Sequence, residues 1–121
     1  MRLTLLALTF AFLPAAAYAQ DDVCTTAINR ALEASIAATG TLATATKYMT
    51  AHEDWCDGNM MALEQQDSAA VDHAWSLAID AQSACGPSQN AQAQMNKLIV
   101  SLHNRHMKIG EHIDALRVKC N

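Results

Sequence analysis

The chain has 121 residues, of which 51% are hydrophobic, and a formal net charge of -4. This length fits one folded domain and leaves little room for a second. The acidic balance disfavours nucleic-acid binding, because a protein that contacts phosphate groups needs a basic face.

The beginning of the chain has the features of a secretory signal peptide. Arg2 precedes an apolar run over residues 3–13, and small residues surround the expected cleavage point after Ala19. The apolar run is shorter than the ~20 residues that span a bilayer as a helix. We therefore predict a signal peptide at residues 1–19 and a single helical domain at residues 20–121. This domain is expected to be periplasmic or secreted, without membrane insertion after cleavage.

The rest of the sequence predicts an all-α fold. It is rich in strong helix formers and lacks the alternating pattern of a half-buried strand. Turn signals occur at residues 57–59 (DGN) and 85–88 (CGPS). They divide the chain into three long helices, over about residues 22–54, 59–84 and 89–119, which favours an up-down-up three-helix bundle.

The second and third helices have apolar stripes at the spacing of a bundle seam. On the second helix the stripe contains Met60, Leu63, Ala70, Ala74, Leu77 and Ala81, widened by Val71, Trp75 and Ala78. On the third helix it contains Met95, Leu98, Leu102, His106, Ile109, Ile113, Leu116 and Cys120. His106 is the one ionisable residue in the stripe of the third helix. We therefore expect its imidazole to lie in the bundle seam and to be hydrogen-bonded there.

Four cysteines allow three pairings, and the lengths of the helices choose among them. Each cysteine lies near the end of a predicted helix, and a helix of ~30 residues is ~45 Å long. A disulfide joins Cα atoms that are ~4.4–6.8 Å apart. In an up-down-up bundle we therefore predict Cys24 with Cys85 at one end and Cys56 with Cys120 at the other.

Gly40 leaves one alternative open for the first helix. A turn at Gly40 would divide this helix, produce a four-helix bundle and allow Cys24 to reach Cys56. A single glycine without proline or asparagine is a poor turn signal, so a continuous or kinked helix is the preferred interpretation.

Histidines and a methionine on the third helix suggest a possible metal site. His103 and His106 are one turn apart, His112 follows, and Met107 adds a thioether. Imidazole and thioether ligands suit copper. No covalent haem motif or H-E-x-x-H zinc motif occurs in the sequence, so no cofactor is predicted, with copper as the alternative.

A second possible polar site involves His73 and His106. His73 lies 17 residues after Cys56, and His106 lies 14 residues before Cys120. Because these two cysteines are predicted to share one end of the bundle, both imidazoles should lie at a similar distance from that end. The first helix passes that height near residues 39–41, which have little side-chain bulk. This placement suggests a polar pocket or a pH-sensitive joint.

The sequence contains no motif that indicates an enzyme. There is no G-x-S-x-G and no glycine-rich phosphate loop, and the cysteines are expected to be oxidised. We predict a non-enzymatic exported binding protein, such as an inhibitor, an immunity-type protein or an accessory protein. Its rigid helical face would meet another protein, or its bundle would enclose a small apolar ligand. The alternative is a periplasmic copper-binding protein, and the sequence fixes neither the partner nor the oligomeric state.

Overall fold

The second and third helices have the bounds that the turn signals predict. A computed structural model describes the backbone of residues 2–52 and 55–120, and the side chains of residues 22–52 and 55–120. It contains three helices and, in those residues, no strand: α1 (Arg2–Ala51), α2 (Asn59–Ala84) and α3 (Gln89–Lys119). The predicted all-α three-helix bundle is confirmed.

The first helix differs from the prediction at both of its ends. α1 begins at Arg2, not near residue 22, and it ends at Ala51. The side chains of the predicted signal peptide, residues 1–19, lie outside the described part of the chain. Among the residues whose side chains are described, no helix is long and apolar enough to cross a membrane.

α1 continues through Gly40 without a break. The four-helix alternative is therefore wrong. A Cβ added at Gly40 would meet no atom within 4 Å, so packing does not require glycine here.

Both predicted disulfides are confirmed. Cys24 and Cys85 are joined, with their Cα atoms 4.8 Å apart. Cys56 and Cys120 are joined, with their Cα atoms 5.2 Å apart. The first bond ties α1 to the end of α2, and the second ties the start of α2 to the end of α3, so each end of the bundle has one covalent link.

α2 is the central helix of the bundle. It packs against both α1 and α3, which approach each other much less closely. The side of α1 that faces the core is built from alanines seven residues apart: Ala31, Ala38 and Ala45. Such small residues let two helix backbones pack closely, and this spacing keeps them on one face of the helix.

The buried residues of α2 form one line along the helix, and this line includes two acidic residues, Glu64 and Asp67, that the predicted apolar stripe did not contain. Its buried residues follow one another at steps of four and three: Met60, Glu64, Asp67, Val71, Ala74, Ala78 and Ala81. Leu63, Ala70 and Leu77, which the stripe contained, are only partly buried. The predicted stripe of α2 is thus right at five of its positions, and carboxylates occupy two further positions of the buried line.

The buried line of α3 follows the predicted stripe in part. Met95, Leu102, Ile109 and Leu116 are buried at intervals of seven residues. His106 lies at the edge of this line, with 38% of its side chain exposed and its Nδ1 atom 2.8 Å from Oδ1 of Asp72. The expected seam position of His106 was thus only partly right, because the seven-residue line passes beside it.

The corner between α1 and α2 is organised by Asp57. Oδ1 of Asp57 accepts a hydrogen bond from the backbone N–H of Asn59 at 3.0 Å, and Oδ2 accepts one from the hydroxyl of Tyr48. The N-cap residue of α2 is Gly58, at a φ of 88°. Glycine suits this left-handed conformation because it has no Cβ.

Tyr48→Phe is expected to raise the pKa of Asp57. The hydrogen bond from the Tyr48 hydroxyl is the largest cause that lowers the pKa of this carboxyl group below its ordinary value of 3.8. Because the folded pKa is depressed, the stabilisation is present above the unfolded pKa of ~3.9 and is lost as the pH falls through the folded value. Carboxyl-carbon NMR titration of the two proteins measures the change, and an unaltered Asp57 titration in Tyr48→Phe would contradict this assignment.

Alanine at two helical glycines is expected to stabilise the protein. A Cβ at Gly40 or Gly110 would meet nothing within 4 Å, and both residues lie inside helices. Each substitution should raise the free energy of unfolding by about 0.5–1 kcal/mol, because alanine loses less backbone freedom on folding. Gly58→Ala is the control, since its positive φ makes alanine unfavourable. Urea unfolding should show a higher free energy of unfolding for the variants at Gly40 and Gly110 and a lower one for Gly58→Ala.

Candidate functional site

An open groove lies between α1 and α3, with α2 as its floor. It forms because α1 and α3 both pack on α2 and leave space between themselves. The cavity has a volume of about 430 Å³. Its lining residues are Leu42, Thr46, Met49, Glu64, Asp67, Ser101, Asn104, Arg105, Lys108, Ile109 and His112. We call this cavity the α1–α3 groove.

An ion pair between Asp67 and Arg105 lies at the floor of the α1–α3 groove. The Asp67 side chain is 1% exposed, that of Arg105 is 18% exposed, and Nη2 of Arg105 lies 2.7 Å from Oδ1 of Asp67. Thr41 donates its hydroxyl to the same oxygen at 2.7 Å. Arg105 also donates to the backbone carbonyl of Ala38. These contacts join all three helices through one carboxylate oxygen.

Two buried polar atoms of this pair have no hydrogen-bond partner among the described residues. Oδ2 of Asp67 and Nε of Arg105 are both buried, and neither has a hydrogen bond within the described part of the chain. Most buried polar atoms in folded proteins are paired with protein, ordered water or a ligand, because an unpaired one costs about 1–3 kcal/mol. The ion pair beneath the groove thus contains one buried acceptor and one buried donor without a hydrogen bond.

A second polar pair occupies the next part of the groove. Nδ1 of His112 lies 2.9 Å from Oε1 of Glu64, whose side chain is nearly buried. The ring of Trp55 meets the ring of His112 edge-on, and Nζ of Lys119 lies 4.6 Å from the centre of the Trp55 ring. This part of the groove therefore lies close to the Cys56–Cys120 end of the bundle.

The predicted candidates His103 and His106 lie on the other flank of α3. Both imidazoles contact the indole of Trp75, with ring centres 5.5 Å and 5.8 Å away. Met107 is exposed. Of the histidines predicted on α3, only His112 lines the α1–α3 groove.

His73 and His106 have different surroundings. His73 lines a shallow surface hollow with residues of α1, among them Arg30 and Glu33. His106 lies beside Asp72 and Trp75. Where side chains are described, no group of three or more His, Cys, Asp or Glu residues is arranged to hold a metal ion.

The expected polar pocket beside residues 39–41 does have a counterpart. Thr41 borders a polar site, but its partners are Asp67 and Arg105 and not the two histidines. A sequence signal for Asp67 existed. The four-three spacing of Val71, Ala74, Ala78 and Ala81 extends backwards through positions 67 and 64.

The α1–α3 groove combines balanced charge with apolar walls. Glu64 and Asp67 carry negative charge, Arg105 and Lys108 carry positive charge, and aliphatic side chains stand above them. Such a site is suited to hold a ligand by hydrogen bonds at its floor and apolar contact at its walls. No protein-family model matches the sequence, and comparison with curated proteins and with solved structures finds no match either.

Proposed function

We propose that this chain is an exported, non-enzymatic binding protein and that the α1–α3 groove is its binding site. The observation that carries the proposal is an open cavity of about 430 Å³ whose lining combines the charged residues Glu64, Asp67, Arg105 and Lys108 with apolar residues such as Leu42 and Met49. Ligand sites are typically clefts of ~300–1,000 Å³ with apolar walls and a few fixed polar groups. The groove has this size and this composition.

The two disulfides support a function outside the reducing cytoplasm. Disulfides persist in oxidising compartments and are rare in cytosolic proteins. All four cysteines of this chain are paired. Together with the signal-peptide features of residues 1–19, these bonds support a periplasmic or secreted protein.

The disulfides also favour a groove that is formed before the ligand arrives. Cys24–Cys85 links α1 to α2, and Cys56–Cys120 links the start of α2 to the end of α3. Both walls of the groove are thus tied covalently to its floor. A preformed site loses less conformational freedom on binding, which favours affinity.

A fragment screen by NMR tests the proposed site. A set of small polar and apolar compounds is added to the oxidised, isotope-labelled protein, and amide shifts are recorded. Binding fragments should perturb residues of the groove, and Thr46→Trp should abolish these shifts by filling it. Val118→Trp is the matched control, because Val118 is 82% exposed and lies outside the groove. The proposal fails if no fragment binds or if the perturbed residues lie elsewhere.

A further inference from the structure

We infer that the solvent-facing side of α1 around Gly40 binds a second copy of this chain, with the two α1 helices antiparallel and crossing at Gly40. We call this surface the Gly40 face, and its residues are Glu33, Ile36, Ala37, Gly40, Ala43, Thr44 and Lys47. None of them lines the α1–α3 groove, so the inference does not depend on the proposed ligand site.

The central part of the Gly40 face carries no charge. Residues 34–46 of α1 form a run of 13 residues without Asp, Glu, Lys or Arg. Ala38 marks the buried side of this helix, whereas Ile36, Gly40 and Thr44, at steps of four residues, lie on the opposite side and are exposed. Ile36 is 71% exposed. A helix side that meets only water usually carries charged residues, so this side indicates contact with another surface.

The centre of the Gly40 face allows a second helix to approach closely. Gly40 is exposed, and an added Cβ would meet no atom within 4 Å, so packing within one chain gives no reason for this glycine. Ala37 and Ala43, three residues before and after it, are also small. The hydroxyl of Thr44 already donates to the carbonyl of Gly40 at 3.1 Å. A second backbone can therefore pack here without leaving that hydroxyl unpaired.

Two opposite charges lie at equal distances from Gly40. Glu33 is seven residues before Gly40, and Lys47 is seven residues after it. Because seven residues are close to two helical turns, both charges lie on the same side of α1 as Gly40. Both residues are exposed, and neither takes part in an ion pair among the described side chains. Their charges are thus free to pair with a partner.

These charges determine the direction and the register of the two helices. In an antiparallel pair with a twofold axis at Gly40, Glu33 of each chain lies opposite Lys47 of the second copy. A parallel pair would instead place like charges against each other, which is unfavourable. The antiparallel pair therefore has an ion pair at each end of an uncharged centre. Ile36 of each chain then lies opposite Thr44 of the second copy.

The dimer is expected to be weak. The contact extends over residues 33–47, which is about 20 Å of helix, and such a small interface belongs with transient complexes. Sedimentation equilibrium of the oxidised protein should show a monomer–dimer equilibrium at concentrations up to ~1 mM. A protein that is still monomeric at the highest of these concentrations would overturn the inference.

Charge reversal tests the antiparallel register. Glu33→Lys and Lys47→Glu each turn both ion pairs of the dimer into contacts between like charges, so each should weaken dimerisation at least about tenfold. The double variant restores opposite charges and should dimerise within about threefold of the wild type. Lys97→Glu, at an exposed lysine of α3, is the control and should leave dimerisation unchanged. If the double variant does not recover dimerisation, the inferred register is wrong.

Substitution of glycine tests the close approach of the helices. Gly40→Gln places a bulky, uncharged side chain at the crossing point, where the single chain has room for it. Dimerisation should weaken at least about tenfold, because the side chain separates the two backbones. Gly110→Gln is the matched control, since Gly110 is also an exposed helical glycine with space around it. It should leave dimerisation unchanged.

The location of the interface is measured on the wild-type protein by NMR. Amide shifts that change with protein concentration should occur at residues 33–47 of α1. Concentration-dependent shifts confined to another surface would contradict the inference, as would a dimer that Gly40→Gln does not weaken.

Discussion

Replacement of Cys56 and Cys120 together by alanine is expected to lower the free energy of unfolding by about 2–4 kcal/mol. The bond closes a long loop, since its cysteines are 64 positions apart in the sequence. In the chain-entropy model, removal of a disulfide that closes a loop of this length raises the conformational entropy of the unfolded chain and lowers the stability by ~4 kcal/mol. The measured decrease in stability is often smaller. Because the whole stability of a small domain is ~5–15 kcal/mol, this is a large share. Urea unfolding of the wild type and the double variant measures the difference.

The two disulfides should differ in their response to reductant. Cys85 is 1% exposed, whereas Cys56 and Cys120 are both exposed. Thiol–disulfide exchange needs access of the attacking thiolate to a sulfur atom, so the Cys56–Cys120 bond should open first. Alkylation during limited reduction, followed by peptide mass analysis, reveals the order. Earlier labelling of Cys24 and Cys85 would show that this end of the bundle opens more readily than its burial indicates.

The disulfide pairing could be predicted because it depends on length and direction alone. Cysteines separated by one helix length must lie at opposite ends of the bundle, so Cys24 cannot reach Cys56 unless α1 folds back. The decision therefore depended on Gly40, and α1 continues through it. The helix ends at Asn59, Ala84 and Gln89 could also be predicted from the sequence, because glycine and proline act as local turn signals.

The floor of the groove could not be predicted in the same way. Asp67 is polar, so a stripe drawn through apolar residues alone omits it, although the spacing of that stripe passes through position 67 and the residue is buried. Its burial is made tolerable by Arg105, which is 38 residues further along the chain. That pairing depends on the relative register of α2 and α3, which local sequence patterns do not encode. The position of His106 beside the buried line of α3 was missed for a related reason, since the rotation of α3 about its own axis is not encoded by local sequence patterns.

Arg105→Met is expected to lower the free energy of unfolding by about 3 kcal/mol. Methionine retains much of the aliphatic stem but removes the charge that faces Asp67 at 2.7 Å. Asp67 would remain as a buried carboxylate with only the hydroxyl of Thr41 as a donor. Breaking a buried ion pair from one side typically costs ~3–5 kcal/mol, and the partial exposure of Arg105 favours the lower end. Urea unfolding at neutral pH measures the loss, and Arg117→Met, at an exposed residue of α3, is the control.

The double variant Asp67→Leu with Arg105→Met should recover most of that loss. With both charges removed no buried carboxylate is left without a partner, and the Thr41 hydroxyl, which loses Asp67 as its acceptor, can donate to the carbonyl of Ala38, 2.8 Å away. Replacement of a buried ion pair by apolar side chains of similar size is often neutral or stabilising. We therefore expect a stability within about 1 kcal/mol of the wild type, which gives a large coupling energy in the double-mutant cycle. A loss equal to the sum of the two single variants would show that the pair is not coupled. Full recovery would show that an apolar floor folds as well as the charged one, so that the bundle does not need the ion pair for its stability.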